Sequence, residues 1–517
     1  MLDPAPATER PRRLLCDGSF GTAVLTTANS ALGAGVLAFP VAFRDAGLVG
    51  GSILLLVIGA AASVGLRTVL HCMSRAQAMD PSVKDYTKMV SAAFGTKAEV
   101  GVTVLILLYL FGACWGYLVL LADTAAPLVL KADPRLDEAL ARTLVQVCAS
   151  VLCVGLCSLR SINTLKYSSA VSVAAVLTMV FMLVKNYAAH PCELGDCTAA
   201  PGPSDWCPAG ECSGWCTGEQ LARRPELCPG GTEGVSAWPA DADQLLRALP
   251  LVAFALQCHI QGPAVYTEMP RRLQSSPAAH TAVALASSLV LIALYLPTGL
   301  AGYAAFGALT QGDVLTNFST DDPLADVARG CIAVTALCAY PMQHFPARIV
   351  LHNAWAALLR RARCAGAPLA VDDAAAGTLP LQAPRAADDA AGGTLPLQRA
   401  RGAPLGQPAA EQGEPLLPPS GEPSDAFILA EAAVWCALVL CVSLAAAGSS
   451  LSGVFSLVGA LCGGNVIFTI PGALWLKLGE GSQPRRLLLA GPLIAIGALI
   501  TVFGTYATIQ QMVTGSR

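Results

Sequence analysis

Eleven stretches of roughly twenty apolar residues punctuate this chain, and no other feature constrains its fold as strongly. A bilayer core about 30 Å thick is crossed by about 20 residues of helix. The windows fall at 19–43, 47–72, 98–121, 139–158, 164–188, 244–269, 278–306, 324–351, 426–447, 451–476 and 486–511. Among 517 residues, 54% are hydrophobic and 13% charged, a balance expected of an integral multi-pass membrane protein and not of soluble domains of this total length. Long runs such as GGSILLLVIGAAASVGL at 50–66 exclude the alternating ten-residue strands of a membrane β-barrel. The expected fold class is an all-α polytopic membrane protein with eleven transmembrane helices.

Orientation follows from the basic residues, because Lys and Arg accumulate in short cytoplasmic loops. Arg10, Arg12 and Arg13 lie in the N-terminal tail, 1–18. The even-numbered connections are basic as well: Arg75, Lys84, Lys88 and Lys97, then Arg160, then Arg271 and Arg272, then Arg360, Arg361 and Arg363, then Lys477, Arg485 and Arg486. This pattern places the N-terminal tail in the cytoplasm and, with an odd number of helices, the C-terminus outside. Lys131 and Arg135 are exceptions on the outer side. The tail has no apolar core, so the first segment itself is expected to act as the targeting signal.

Two insertions interrupt the membrane segments. Residues 189–243, expected outside, carry Cys192, Cys197, Cys207, Cys212, Cys216 and Cys228. An oxidising compartment permits disulfides there, and six cysteines allow fifteen pairings. A zinc site at Cys212 and Cys216 would lack histidine partners beyond His190 at the loop edge. Asn317-Phe318-Ser319 is a glycosylation sequon on the same side. Residues 360–425, expected in the cytoplasm, read as disordered, with a near-duplicate DDAAAGTLPLQ at 372–382 and DDAAGGTLPLQ at 388–398. This tract is either a spacer or a dock for a cytoplasmic regulator. The remaining membrane portions are 19–188, 244–359 and 426–517.

The first segment contains ANSALGAGVLAFP, residues 28–40, where Gly33, Gly35 and Pro40 oppose a continuous helix. A broken helix survives at membrane depth only where it is buried in protein or lines a polar cavity. There its freed N–H groups can hold a substrate carboxylate and its freed carbonyls a cation. Close helix packing through small residues is the plainer explanation of such a run. A second interruption shifts the weight: ALPLVAFALQCHIQGPAVYTEMP, residues 248–270, holds Pro250, Gly262-Pro263, and the polar Gln257, His259 and Gln261. Paired breaks in the first helices of two five-helix halves point to an inverted repeat, helices 1–5 and 6–10, with the eleventh accessory. The candidate substrate-binding residues are Asn29, Ala31, Leu32, Gly33, Ala34, Gly35, Gln257 and His259.

NSALGAGVLAFPVAF (29–43), FALQCHIQGPAVYTEM (254–269), GYAAFG (302–307) and YPMQHFPAR (340–348) resemble signature stretches of the amino acid/auxin permease family, nearest its sodium-coupled neutral amino acid transporter branch. The resemblance implies a LeuT-type fold and cation-coupled symport of neutral amino acids such as glutamine, with Asn29 and Thr335 as cation ligands. Proton coupling is the alternative coupling mode, for which His259 and His344 are the titratable candidates. In this reading Asp123, Glu268 and Glu431 are solvated near helix ends. Tyr109, Trp115 and Tyr117 either wall the site or simply pack. Apart from Na+ or H+, no cofactor or metal is expected, and the partners expected are an amino acid and lipid, not nucleic acid. An amino acid sensor signalling through 360–425 is the competing class. An enzyme is not expected, since no catalytic motif stands in its required context. The membrane is either the plasma membrane or an endolysosomal one.

Overall fold

The computed structural model describes residues 18–159, 168–189, 235–318, 322–365, 425–446 and 449–514, and among them every regular element is helical, with no strand. In chain order the helices are α1 (Gly18–Ala31), α2 (Phe39–Ala46), α3 (Leu48–Met79), α4 (Tyr86–Phe94), α5 (Thr96–Ala132), α6 (Glu138–Cys157), α7 (Ser168–Ala189), α8 (Ala242–Ala255), α9 (Gly262–Glu268), α10 (Arg271–Gln274), α11 (Pro277–Phe306), α12 (Pro323–Ala365), α13 (Asp425–Ala445), α14 (Leu451–Val458), α15 (Ile470–Leu478), α16 (Gln483–Leu499) and α17 (Thr505–Thr514). Contacts group residues 1–351 with 425–517 as one unit and residues 352–424 as a second. Of the second unit only the helical end of α12, to Ala365, is described.

Nine helical stretches among the described residues are long and apolar enough to cross a membrane, and the bent pair Phe20–Ala31 and Gly35–Ala46 makes a tenth. The sequence leads one to expect eleven. The shortfall falls on α7, whose described apolar part, Val173–Lys185, is shorter than a bilayer span. Residues 160–167 before it lie outside the described residues. The multi-pass membrane class stands on the nine or ten spans that are present.

Local chemistry sets where these helices begin. Asp85 accepts from Lys88 N (2.7 Å), Asp137 from Ala139 N (3.1 Å) and Asp241 from Gln244 N (2.8 Å), each satisfying a first-turn amide that has no intrahelical partner. The Asp85 cap opens α4, a short helix inside a connection that hydropathy alone reads as a loop.

Burial then separates inner from outer helices. Of the most apolar stretch of Ala242–Glu268 83% is buried, and of that of Gln483–Gln511 only 28%. The broken sixth segment therefore sits at the centre, and the eleventh turns Leu487, Leu488, Val502 and Phe503 outward, as suits a lipid-facing helix. Helix α3 lies along α11, and α2 packs on both α8 and α11. Charged residues at the helix ends are paired: Arg75 lies 3.6 Å from Glu480, and Lys131 is 2.7 Å from Asp326.

Candidate functional site

The first break follows from its glycines. Leu32 N still donates to Ala28 O (3.0 Å), but Gly33 is extended at φ −157° and ψ −151°, and the chain resumes as a tight turn over Ala34–Ala38 before α2. The axis bends by 59°. In the sixth segment α8 ends at Ala255, a short turn covers His259–Gln261, and α9 starts at Gly262.

The two breaks meet. An atom in place of the missing Cβ of Gly35 would lie 3.1 Å from Ala255 Cβ. The wholly buried Tyr295 of α11 donates its hydroxyl to Ala31 O (2.9 Å) and Ala255 O (3.0 Å), and its ring stacks on Phe39 at 4.6 Å. Both carbonyls lie at the C-terminal ends of half-helices, where the aligned peptide dipoles gather partial negative charge. A single hydroxyl proton thus clasps two negative helix ends.

Beside the clasp lies a narrow, largely apolar cavity with an internal volume of only about 10 Å³, lined among others by Leu32, Gly33, Tyr117, Val176 and Thr335. It brings together the first break, α5, α7 and α12. Of the residues expected at a site, Leu32, Gly33 and Thr335 line it, and of the aromatic candidates Tyr117 does. Tyr109 packs on Phe254 at 5.6 Å instead. Thr335, itself buried, donates to Cys331 O (2.9 Å). Asn29, half-buried in the last turn of α1, is not in the lining, nor are Ala31, Gly35, Gln257 and His259. For Ala34 only the backbone is described. A cavity of about 10 Å³ holds about one water, so the walls must part to admit an amino acid.

His259 departs most from expectation. Its Nε2 is 2.9 Å from Ala62 O, and a Cβ on Gly65 would stand 3.0 Å from that nitrogen. The missing side chain of Gly65 makes the slot for the ring, so His259 is seated on α3 and away from the cavity. Its Nδ1, like Nε2 of the buried Gln257 nearby in the sequence, has no hydrogen-bond partner among the described residues.

Three further expectations change. Glu431 is not solvated at a helix end: its side chain is 10% exposed and its Oε1 lies 3.0 Å from Nε2 of His344, which is itself buried. Asp123 is likewise buried, in an ion pair with Arg142. Asn317 is a poor glycan acceptor in this fold. It is 5% exposed, its Nδ2 donates to Leu309 O (2.8 Å), and its Oδ1 accepts from Gln311 N (2.9 Å), so the nitrogen that would carry a glycan is held inside the loop. Glu268 is exposed, as expected at the end of α9. The six cysteines of 189–243 and the 360–425 tract lie outside the described residues, apart from the short stretches that flank them.

Sequence reasoning missed Tyr295, Val176 and the tie between His344 and Glu431. For Tyr295 the signal available was a tyrosine at mid-depth in IALYLPTGL, 292–300.

Comparison with known proteins places the chain in a family. Residues 17–510 match the family described as transmembrane amino acid transporter protein. Sodium-coupled neutral amino acid transporter 7 of Mus musculus is 25% identical over 340 residues, covering 64% of each chain. Its Xenopus laevis counterpart is 28% identical over 351 residues, covering 66% of this chain and 68% of the relative. Vacuolar amino acid transporter 2 of Saccharomyces cerevisiae is 26% identical over 341 residues, 65% of this chain and 62% of the relative. The chain thus spans just under two thirds of the mouse relative's length. A match over nearly the whole chain settles the class: this protein is an integral membrane member of the transmembrane amino acid transporter family, the amino acid/auxin permeases, which is a family of transporters and not of enzymes.

Proposed function

We propose that the protein is a secondary active transporter that carries neutral amino acids such as glutamine by symport with Na+. The observation that carries this reading is the meeting of two broken half-helices at Tyr295, beside a cavity lined by Gly33 and Thr335. Half-helix ends supply partial charges of both signs at membrane depth without any ionised side chain, which suits a zwitterionic substrate and a cation. Breaks in the first and sixth segments fit eleven helices in a LeuT-type five-plus-five inverted repeat with one accessory helix. Relatives named as sodium-coupled transporters support Na+, with Asn29 and Thr335 as its ligands. Residues Ala31 to Gly35 and Gln257 form the substrate side, and the unpartnered Gln257 Nε2 is a donor suited to it. The name of the yeast relative favours an endolysosomal membrane, and those of the sodium-coupled relatives leave the plasma membrane in play.

The buried pair of His344 and Glu431 favours proton coupling as the second reading. Uptake of labelled glutamine and a neutral amino acid panel into proteoliposomes, under a Na+ gradient and separately under a proton gradient, decides between them. Asn29→Ala is expected to lower Na+-driven uptake at unchanged protein level. Uptake and Na+ dependence that are unaltered in Asn29→Ala would remove that ligand assignment, and uptake under the proton gradient alone would replace Na+ by H+.

A further inference from the structure

The connection from Gly307 to Phe318 folds onto the helices as a cap. Arg44 of α2 donates to Thr310 O (2.7 Å), and Arg329 of α12 donates to Leu315 O (3.2 Å) and Phe318 O (2.6 Å). Val314 and Leu315 are fully buried, and their turn touches α5 and the unwound stretch that follows Gly33. A side chain on Gly312 would strike Ser452 Oγ at 2.7 Å, so the cap also abuts the start of α14. It therefore holds four segments at one end of the candidate site, the end that the charge pattern places outside.

Asp313 lies inside this cap. It is 3% exposed, and its Oδ1 accepts from Leu315 N (2.9 Å). Its Oδ2 is buried with no partner among the described residues. The charged groups around it come from each neighbouring element. Asp123 of α5 is paired with Arg142 of α6, Arg329 of α12 is bonded to Asp326 (3.0 Å), Asp326 also takes Lys131, and Arg44 is paired with Asp45. No cation forms an ion pair with Asp313 among the described residues. A carboxylate there would have one oxygen stripped of water and unsatisfied, and burial with the repulsion of Asp123 outweighs the pull of Arg329 and Arg142, whereas a carboxylic acid avoids most of that cost.

We propose that Asp313 is a proton-binding site of the cap: the cap seats with Asp313 protonated and lifts with it ionised, so each seating takes up one proton from the outer medium. The proposal rests on the transporter reading above and on the outer placement of this loop. Burial first, then the charge of Asp123, raises the seated Asp313 to about 8. A lifted, solvated aspartate titrates near 3.9. The sign follows: seating is fully favoured below pH ~4, weakens about tenfold per pH unit between ~4 and ~8, and gains nothing from protonation above ~8.

Hydrogen exchange of the 307–318 peptide in the purified full-length protein, from pH 5.5 to 8.5 and corrected for intrinsic exchange, tests this without requiring transport. The expected result is protection that falls by about tenfold per pH unit up to pH ~8 in the wild type, and that is independent of pH in Asp313→Asn. Asp313→Ser, which keeps a cap acceptor for Leu315 N but cannot titrate, is expected to be flat as well. Flat protection in the wild type, or an unchanged slope in the two variants, would overturn the proton site. Uptake that persists with flat exchange would leave the transporter reading intact, whereas Asp313-dependent exchange without any uptake would overturn that reading alone.

Discussion

Adding one methyl group at Gly33 tests whether the first break and α5 jointly set the width of the cavity. A Cβ at Gly33 would lie 2.7 Å from Tyr117 Oη and 3.8 Å from its Cζ. Ordinary carbon contacts lie at about 3.5–4.0 Å, so the hydroxyl alone is too close. The backbone at Gly33 is extended, a conformation alanine adopts freely, so the penalty is the contact and not the chain. Overpacking of this kind costs about 1–3 kcal/mol, or about 5- to 150-fold in an equilibrium constant. Tyr117→Phe removes the offending oxygen and leaves Cζ at an acceptable distance. Gly33→Ala is therefore expected to weaken labelled-glutamine binding and lower the melting temperature, and Gly33→Ala/Tyr117→Phe to return both close to the Tyr117→Phe values. Binding to purified protein and thermal unfolding of all four members of the cycle measure the coupling. Strictly additive effects, meaning a coupling under about 0.5 kcal/mol, would refute the argument that these two groups meet across the cavity.

Three other perturbations have defined outcomes. Tyr295→Phe removes the donor to Ala31 O and Ala255 O, and a buried acceptor left unsatisfied costs about 1–3 kcal/mol, so thermal unfolding should shift downward; an unchanged midpoint would dispose of the clasp. His344→Leu leaves Glu431 buried and unpaired, at about 3–5 kcal/mol, while His344→Leu/Glu431→Leu should be less destabilised than the single change in the same unfolding measurement; a double variant worse than the single would contradict the pairing. Digestion of the expressed protein with an N-glycosidase should leave its mass unchanged, because the Asn317 amide is buried in the seated loop; a mass loss mapped to Asn317 would overturn that placement.

Nine or ten of the eleven expected membrane helices were legible because a span is a statement about length: about twenty apolar residues suffice, whatever their neighbours. The first break was legible because its glycines act on their own backbone; the second lies at 256–261, ahead of Gly262-Pro263, which open α9, while Pro250 sits inside α8, so its existence was legible and its position was not. The contents of the site were only half legible. Leu32, Gly33 and Thr335 line the cavity, whereas His259, beside a break and titratable, is turned onto α3 by the slot that Gly65 leaves. No periodicity over 254–269 reveals that slot, because it belongs to a helix almost 200 positions away in sequence. Glu431 fails in the same way: its hydropathy suggests an interface, and only a partner 87 residues distant permits it to be buried.

Tyr295 shows where the limit lies. In IALYLPTGL the tyrosine is neither charged nor a helix breaker, so hydropathy and charge pattern pass over it. What gives it weight is that two interruptions, each readable alone, leave carbonyls that need a donor at membrane depth. Sequence reading counts the breaks but does not ask where their orphaned groups go. Carried through, that question demands a buried donor within reach of both Ala31 O and Ala255 O, and α11, which runs beside α1 and α2, is the element placed to supply it. A break in a membrane helix is thus also a prediction of a partner elsewhere in the fold, to be sought among the uncharged donors of the helices that flank it.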